Sequence, residues 1–224
     1  MKPTHTDAGD ATAAGRSRAQ PTVFVVDDDV SVRESLEQLI RYAGWRPETF
    51  ASAGEFLARP RPHAPSCLLL DVQLPDLDGL ELQRQVSASR SAMPIIFISG
   101  HGDVPMTVKA MKSGAVEFLT KPYDSDVLLD AIRNAIDLSL AALDEDDRMA
   151  ALEARHAGLS ARERQVMALV TSGLMNKQVA AQLGISDVTV KAHRGAVMQK
   201  MGAGSLAELV NMAGRLKLAS PPRR

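Results

Sequence analysis

Five short apolar runs alternate with five helical patterns between residues 22 and 140, and this alternation constrains the fold more than any other feature of the chain. TVFVV (22–26), CLLLD (67–71) and PIIFIS (94–99) are apolar throughout and too short for buried helices; WRPETF (45–50) and EFL (117–119) are weaker strands. Ser31-Val32-Arg33-Glu34 has the form of a capping box, and the helical pattern it opens ends at Gly44. Ser52-Ala53-Gly54-Glu55 opens a short second helix. GLELQRQVSA (79–88) and residues 104–113 are the third and fourth, and Ser125 is placed to cap a fifth that runs past 140. Strands joined through helices lie parallel, with helices on both faces. The expected fold class is therefore α/β, a doubly wound five-stranded parallel sheet. Ligands of such sheets bind beyond the carboxyl ends of the strands.

Those ends carry a particular set of side chains. Strand 1 runs into Asp27-Asp28-Asp29, strand 3 into Asp71 and strand 4 into Ser99, and strand 5 is followed by Lys121-Pro122. Clustered carboxylates raise one another's pKa, and a divalent cation removes that cost. Oxygen-only donors suit Mg2+, which neutralises charge on a transferring phosphoryl group. A carboxylate can itself be the nucleophile, giving an aspartyl phosphate, while a lysine supplies a compact cation for phosphate oxygens. Asp29 reads as a surface residue, and Asp76 and Asp78 as turn residues bonded to local backbone. Cys67 lies inside an apolar run and reads as buried core.

VFVVDDD, LLLDVQLPDLDG and FISGHGDVPMTVKAMKSGAVEFLTKPYD, in that order, resemble the CheY-like receiver domains of two-component response regulators, in particular their FixJ-like branch. The resemblance covers about residues 21–140. It implies that Asp71 is the phosphoacceptor and that Asp27, Asp28 and Asp71 hold Mg2+, with Gln73 contributing its backbone carbonyl. It further implies that Ser99 and Lys121 move onto the phosphate, that Pro122 follows a cis bond, and that Phe118 is the aromatic switch residue. His101 lies near the phosphoryl entry path in this family; it either tunes phosphate lifetime, as Gln73 could, or is a plain loop residue.

The rest of the chain has a different character. Residues 21–143 hold 11 basic and 17 acidic side chains, a balance of −6, whereas residues 159–224 hold 10 and 3, a balance of +7. A basic end on an acidic body is a candidate nucleic-acid surface. Helical patterns open at the Ser160–Glu163 capping box, at 176–183, at Ser186 and at 205–216, with Gly173, Gly184, Gly202 and Gly204 as breaks. Met175 precedes the second of these, and Asn176 is the alternative cap. L-S-x-R-E-R-x-V, G-L-x-N-K-x-V-A, L-G-I-S-x-x-T-V-K-x-H and K-M-x-A-x-S-L-A-E-L-V resemble the LuxR-type helix-turn-helix over residues 159–216. That implies an all-α DNA-binding domain whose helix after Ser186 enters the major groove.

On that helix Val190, Val197 and Met201 share one face and must pack inward. Val188, Ala192, Gly195 and Gln199 lie roughly opposite, with Lys191 beside them. Ala192 can touch a thymine methyl and Lys191 can donate to guanine. Lys177 and Thr189 are placed for phosphates. His193 reads as a packing or phosphate-contacting residue, and Arg194 completes the candidate set. Gly195 either permits close backbone approach or is neutral, at a cost of about 1 kcal/mol relative to alanine.

The expected organisation is a disordered tail (1–20), a receiver (21–140), a helical linker (141–157), the DNA-binding domain (158–218) and a short tail (219–224). The first 20 residues lack the apolar core of a secretory signal, and no run is long enough to span a membrane, so a cytoplasmic protein is expected. The expected partners are a histidine kinase, a two-fold DNA site and a second copy of the chain after phosphorylation, through the fourth helix, fifth strand and fifth helix, unless activation instead releases the DNA-binding domain. A rival reading is an aspartyl phosphatase of the haloacid-dehalogenase type, which wants a second aspartate where Gln73 stands. Two others are a helical output that binds protein rather than DNA, and a DNA-binding protein indifferent to phosphorylation. The stimulus, the target promoters and the sign of regulation are not legible.

Overall fold

The computed structural model describes residues 20–60, 63–89, 92–100 and 103–218. The two tails, Gln20 apart, and His101 lie outside them. The chain divides into two compact units, with the boundary between Leu143 and Asp144.

The first unit contains strands β1 (Thr22–Val26), β2 (Arg46–Phe50), β3 (Ser66–Asp71), β4 (Ile95–Ser99) and β5 (Glu117–Thr120). They pair in the order β2-β1-β3-β4-β5, all parallel. Helices α1 (Val30–Tyr42), α2 (Ala53–Ala58), α3 (Gly79–Ser89) and α4 (Val104–Lys112) make the connections, and α5 (Ser125–Ala157) follows β5. The two-residue period of the strands sorts the core into two layers. Phe24, Val26, Leu68, Leu70 and Phe97 pack with Phe56 of α2, Leu82 and Val86 of α3 and Ala110 of α4. Val23, Val25, Cys67, Leu69, Ile96 and Ile98 pack on the other side with Leu36 and Ile40 of α1 and Leu128 and Ile132 of α5. Burial pushes the Cys67 thiol up to about 12, which leaves it unreactive.

Two helix starts differ from the capping expectation. Asp29, not Ser31, caps α1 and accepts the Ser31 N–H. At α5, Asp124 rather than Ser125 takes that place, accepting the Asp126 N–H at 2.8 Å. In both cases an acidic side chain stands just ahead of the serine and meets the orphan N–H groups first. Ser52 caps α2 as expected, but its Glu55 partner reaches the Ala51 N–H instead of closing a box. Ser139 is fully buried on α5; its Oγ donates to the Ala92 carbonyl and accepts the Ser66 N–H, fastening α5 to the start of β3.

The second unit is helical: the end of α5, then α6 (Ala161–Thr171), α7 (Asn176–Leu183), α8 (Asp187–Met201) and α9 (Leu206–Arg215). Its core gathers Val166, Met167 and Val170 with Val179, Val190, Val197, Met201 and Leu209. The sequence reading sets 141–157 apart as linker; in the structure Leu152 is buried in this core and Met149 packs against it. Arg155 donates to the Met201 carbonyl at the end of α8, beside Gly202, whose positive φ of 70° suits glycine. Arg215 pairs with Glu145, joining α9 to α5.

The Ser160–Glu163 capping box closes in both directions, and Glu163 also takes an ion pair from Lys200 of α8 at 2.7 Å. The Lys200 bond, with the Ser160 N–H, holds the Glu163 carboxyl down at about 2. A depressed carboxylate contributes stability above the ordinary glutamate range and loses it as pH falls through the folded value. Glu163→Gln is expected to lower the stability of this unit at pH 7 and to flatten its acid dependence between 4.5 and about 2. Urea unfolding followed by circular dichroism across that pH range checks this; parallel curves for variant and wild type would refute it.

Candidate functional site

Parallel order brings the strand ends to one edge of the sheet. Asp27 follows β1 and is 1% exposed; Asp71 ends β3, and Ser99 ends β4 and is buried. Lys121, just after β5, reaches both acids: its Nζ lies 2.7 Å from Asp27 Oδ2 and 2.7 Å from Asp71 Oδ2. The other oxygens are tied locally, Asp27 Oδ1 to the Asp29 N–H and Asp71 Oδ1 to the Gln73 N–H. Asp28 is exposed beside them, and carboxylate oxygens of Asp27, Asp28 and Asp71 lie within 4.8 Å of one another. Burial raises the Asp27 carboxyl above its ordinary value; Lys121 and the Asp29 N–H oppose that, and the Asp71 charge adds to it. For Lys121, burial pulls the ammonium down, but its bonds to Asp27 and Asp71 outweigh this and leave it raised.

The remaining expected residues fall around this cluster. The Lys121–Pro122 bond is cis. The Ser99 carbonyl accepts the Lys121 N–H, extending the β4–β5 pairing. Phe118 on β5 is half-buried against Phe97, ring centroids 6.0 Å apart. Gln73 is exposed in the loop after β3.

Several contributors were not singled out from the sequence. Arg33 of α1 donates from Nη1 to the carbonyls of Asp27 and Asp28. Asp76, which the sequence suggests bonds to the backbone of its own turn, instead accepts the Ala53 and Gly54 N–H groups at the start of α2, which anchors the loop carrying Gln73 and depresses the Asp76 carboxyl. Asp78 accepts the Leu80 N–H, a turn role as expected. Gly79 closes the loop by donating to the Val72 carbonyl, and a Cβ there would lie 2.6 Å from the Asp71 carbonyl oxygen.

In the second unit α7 and α8 form the helix-turn-helix, joined through Gly184 in the left-handed conformation. Val190, Val197 and Met201 are buried. Val188 is 74% exposed, and Lys191, Ala192, Gly195 and Gln199 are exposed with it, so the two faces separate as the helical period requires. Lys177 is exposed on α7. Thr189 and His193 are half-buried, and the Thr189 hydroxyl meets Ser186 Oγ at 2.7 Å. Arg194 is half-buried and donates to Asn176 Oδ1, linking α8 to α7. Asn176 is thus not the cap of α7: Met175 holds that position, and Gln178 accepts its N–H.

Comparison with known proteins agrees with both halves. Residues 23–133 match the family described as response regulator receiver domain, and residues 157–213 match the luxR family of bacterial regulatory proteins. Nodulation protein W of Bradyrhizobium diazoefficiens is 48% identical over 88% of this chain and 87% of its own length. The chain belongs to the response regulators. Response regulator protein TodT of Pseudomonas putida is 45% identical over 87% of this chain and 86% of its own. The solved structure of response regulator StyR is 49% identical, has a TM-score of 0.77 and covers 88% of this chain and 100% of its own.

This response regulator is a transcription factor of the two-component type, with a LuxR-type DNA-binding helix-turn-helix, and not an enzyme. Its receiver implies a kinase partner and its helix-turn-helix implies DNA. Among the described residues, no helix is long and apolar enough to cross a membrane.

Gly79→Ala tests the closed loop. The added methyl has only backbone to push against, so a loss of about 1–3 kcal/mol in receiver stability is expected. Urea unfolding of the first unit measures it, and an unchanged midpoint would show that the loop gives way freely.

Proposed function

We propose that Asp71 is the phosphoacceptor, that Asp27, Asp28 and Asp71 with the Gln73 carbonyl hold Mg2+, and that phosphorylation drives dimerisation on a two-fold DNA site. The observation that carries this reading is the convergence of three carboxylates at the strand ends, two of them sharing the Lys121 ammonium. Three acids against one contacting lysine leave an excess of negative charge, which suits a divalent cation with oxygen donors. Bound there, Mg2+ would supply charge neutralisation for a transferring phosphoryl group.

The chain's own residues do the rest. An Asp71 carboxylate oxygen forms the new P–O bond as the donor's P–N bond breaks and the kinase imidazole departs. Lys121, already on Asp71, shifts its hydrogen bonds from carboxylate to phosphoryl oxygen. Ser99 donates its hydroxyl to the same group, and Phe118 repacks as β4 and β5 adjust. These movements bias a two-state receiver toward the form that self-associates. Dimerisation presents two α8 helices to DNA in the cytoplasm. Lys191, Ala192, Val188, Gly195 and Gln199 face the bases, while Lys177, Thr189, His193 and Arg194 serve the backbone.

The exposed α8 face favours DNA over a protein partner as the target: it is small and carries Lys191, and the stretch 159–224 to which it belongs is basic, with 10 Lys/Arg against 3 Asp/Glu.

Light scattering with Mg2+, with and without beryllofluoride, tests the switch. Wild type is expected to dimerise only with the mimic, and Asp71→Asn to stay monomeric in both conditions. A wild type that binds the mimic and remains monomeric would sink the dimer and leave release of the DNA-binding unit as the route. For DNA, Lys191→Ala is expected to cost about 1–3 kcal/mol on the preferred site and to relax specificity, whereas Lys177→Ala weakens binding on all sequences and reduces the salt slope by about 1. Fluorescence anisotropy over a salt series separates the two; a uniform loss for Lys191→Ala would remove it from base reading.

A further inference from the structure

The acidic pair after β1 lies in a short turn, outside both β1 and α1, and the fixing of its backbone decides where Asp28 points. Asp27 is held by burial, by Lys121 and by its own bond to the Asp29 N–H. Asp28 is exposed, and the two peptide groups on either side of its Cα set the direction in which its Cα–Cβ bond leaves the turn. Both carbonyls of those groups, Asp27 O and Asp28 O, accept hydrogen bonds from one atom, Nη1 of Arg33, at 2.7 and 2.9 Å. Asp29 caps α1 in the same turn, and the Arg33 N–H donates to the Asp29 carbonyl. Arg33 therefore reaches back from the start of α1 and grips the turn that leads into its own helix.

We propose that Arg33 is a positioning residue for the phosphoryl-transfer site: by holding both peptide groups around Asp28 it aims the Asp28 carboxylate at the place where Asp27 and Asp71 converge. The proposal rests on the reading of these three acids as the Mg2+-holding set. Arg33 touches neither phosphate nor metal in this role. It acts through the backbone, as outer partners that orient metal ligands do.

The two effects of Arg33 on a cation at this site have opposite signs. Its charge repels a divalent cation, so charge alone predicts tighter Mg2+ binding when Arg33 is neutralised. Its hydrogen bonds orient a ligand, so positioning predicts weaker binding.

Isothermal titration of the full chain with Mg2+ reads the sign directly, on wild type, Arg33→Met, Arg33→Lys and Asp28→Asn. Arg33→Met keeps the apolar stem, and circular dichroism checks that it folds. It is expected to bind Mg2+ about tenfold more weakly than wild type despite losing a repelling charge. Arg33→Lys keeps the charge but loses the reach of the guanidinium, and is also expected to bind more weakly. If Arg33→Met does not fold, Arg33→Lys decides alone, with weaker binding in favour and wild-type affinity against. Wild-type or tighter binding by Arg33→Met, together with lost binding by Asp28→Asn, overturns the proposal and leaves the metal reading standing. No Mg2+ binding by wild type, or none lost in Asp28→Asn, overturns the metal reading and this proposal with it.

Discussion

The Lys121 ammonium, shared between Asp27 and Asp71, is the contact on which the arrangement of the receiver depends. Lys121 follows β5 at one edge of the sheet, while its partners end β3 and follow β1, on the far side of β4. The parallel order β2-β1-β3-β4-β5, with Asp71 opposite Ile98 and Ser99 opposite Thr120, brings the three groups level. Withdrawing such charges from water is costly, and the cost is offset only where the geometry is good and the remaining lone pairs are satisfied. Here each carboxylate gives one oxygen to Lys121 and the other to a backbone N–H two residues on.

The layers behind the strand ends make that contact possible. Alternate residues of β1, β3 and β4 fill opposite faces, so these three strands are buried on both sides and their polar residues are confined to the ends. The helical unit solves a smaller version of the same problem. Glu163 satisfies the Ser160 N–H and the Lys200 ammonium together, while Arg155 donates to the Met201 carbonyl at the end of α8. Among the described residues, the exposed face of α8 carries one ion pair, the local Lys191–Asp187 contact.

Much of the fold and most of the acidic set were legible because each rests on a local pattern with a clear period or on residue types at strand ends. The errors occurred where two local donors or acceptors compete. Asp29 and Asp124 took the capping places assigned to Ser31 and Ser125 because a carboxylate one or two residues earlier reaches the same N–H groups. Asn176 was a plausible cap until Arg194, 18 residues away, claimed its side-chain oxygen. Arg33 carried no signal in isolation, because an arginine early in a helix reads as a solvated charge; Asp76 reads as bonded to the backbone of its own turn, whereas its partners are the distant Ala53 and Gly54 N–H groups. Their partners are backbone atoms, which sequence patterns do not mark.

The sequence by itself determined the alternation of strands and helices, the inward faces of the helices, the acidic strand ends and the basic helical end. Those follow from hydrophobic period and side-chain chemistry, which are properties of neighbours along the chain. The tertiary structure alone decided which oxygen of each acid meets Lys121, that Arg33 grips the Asp27–Asp28 turn, that Asp76 fastens the Gln73 loop to α2, and that Leu152 of α5 belongs to the helical core. Each is a contact whose geometry is set by how elements pack rather than by what stands next to what.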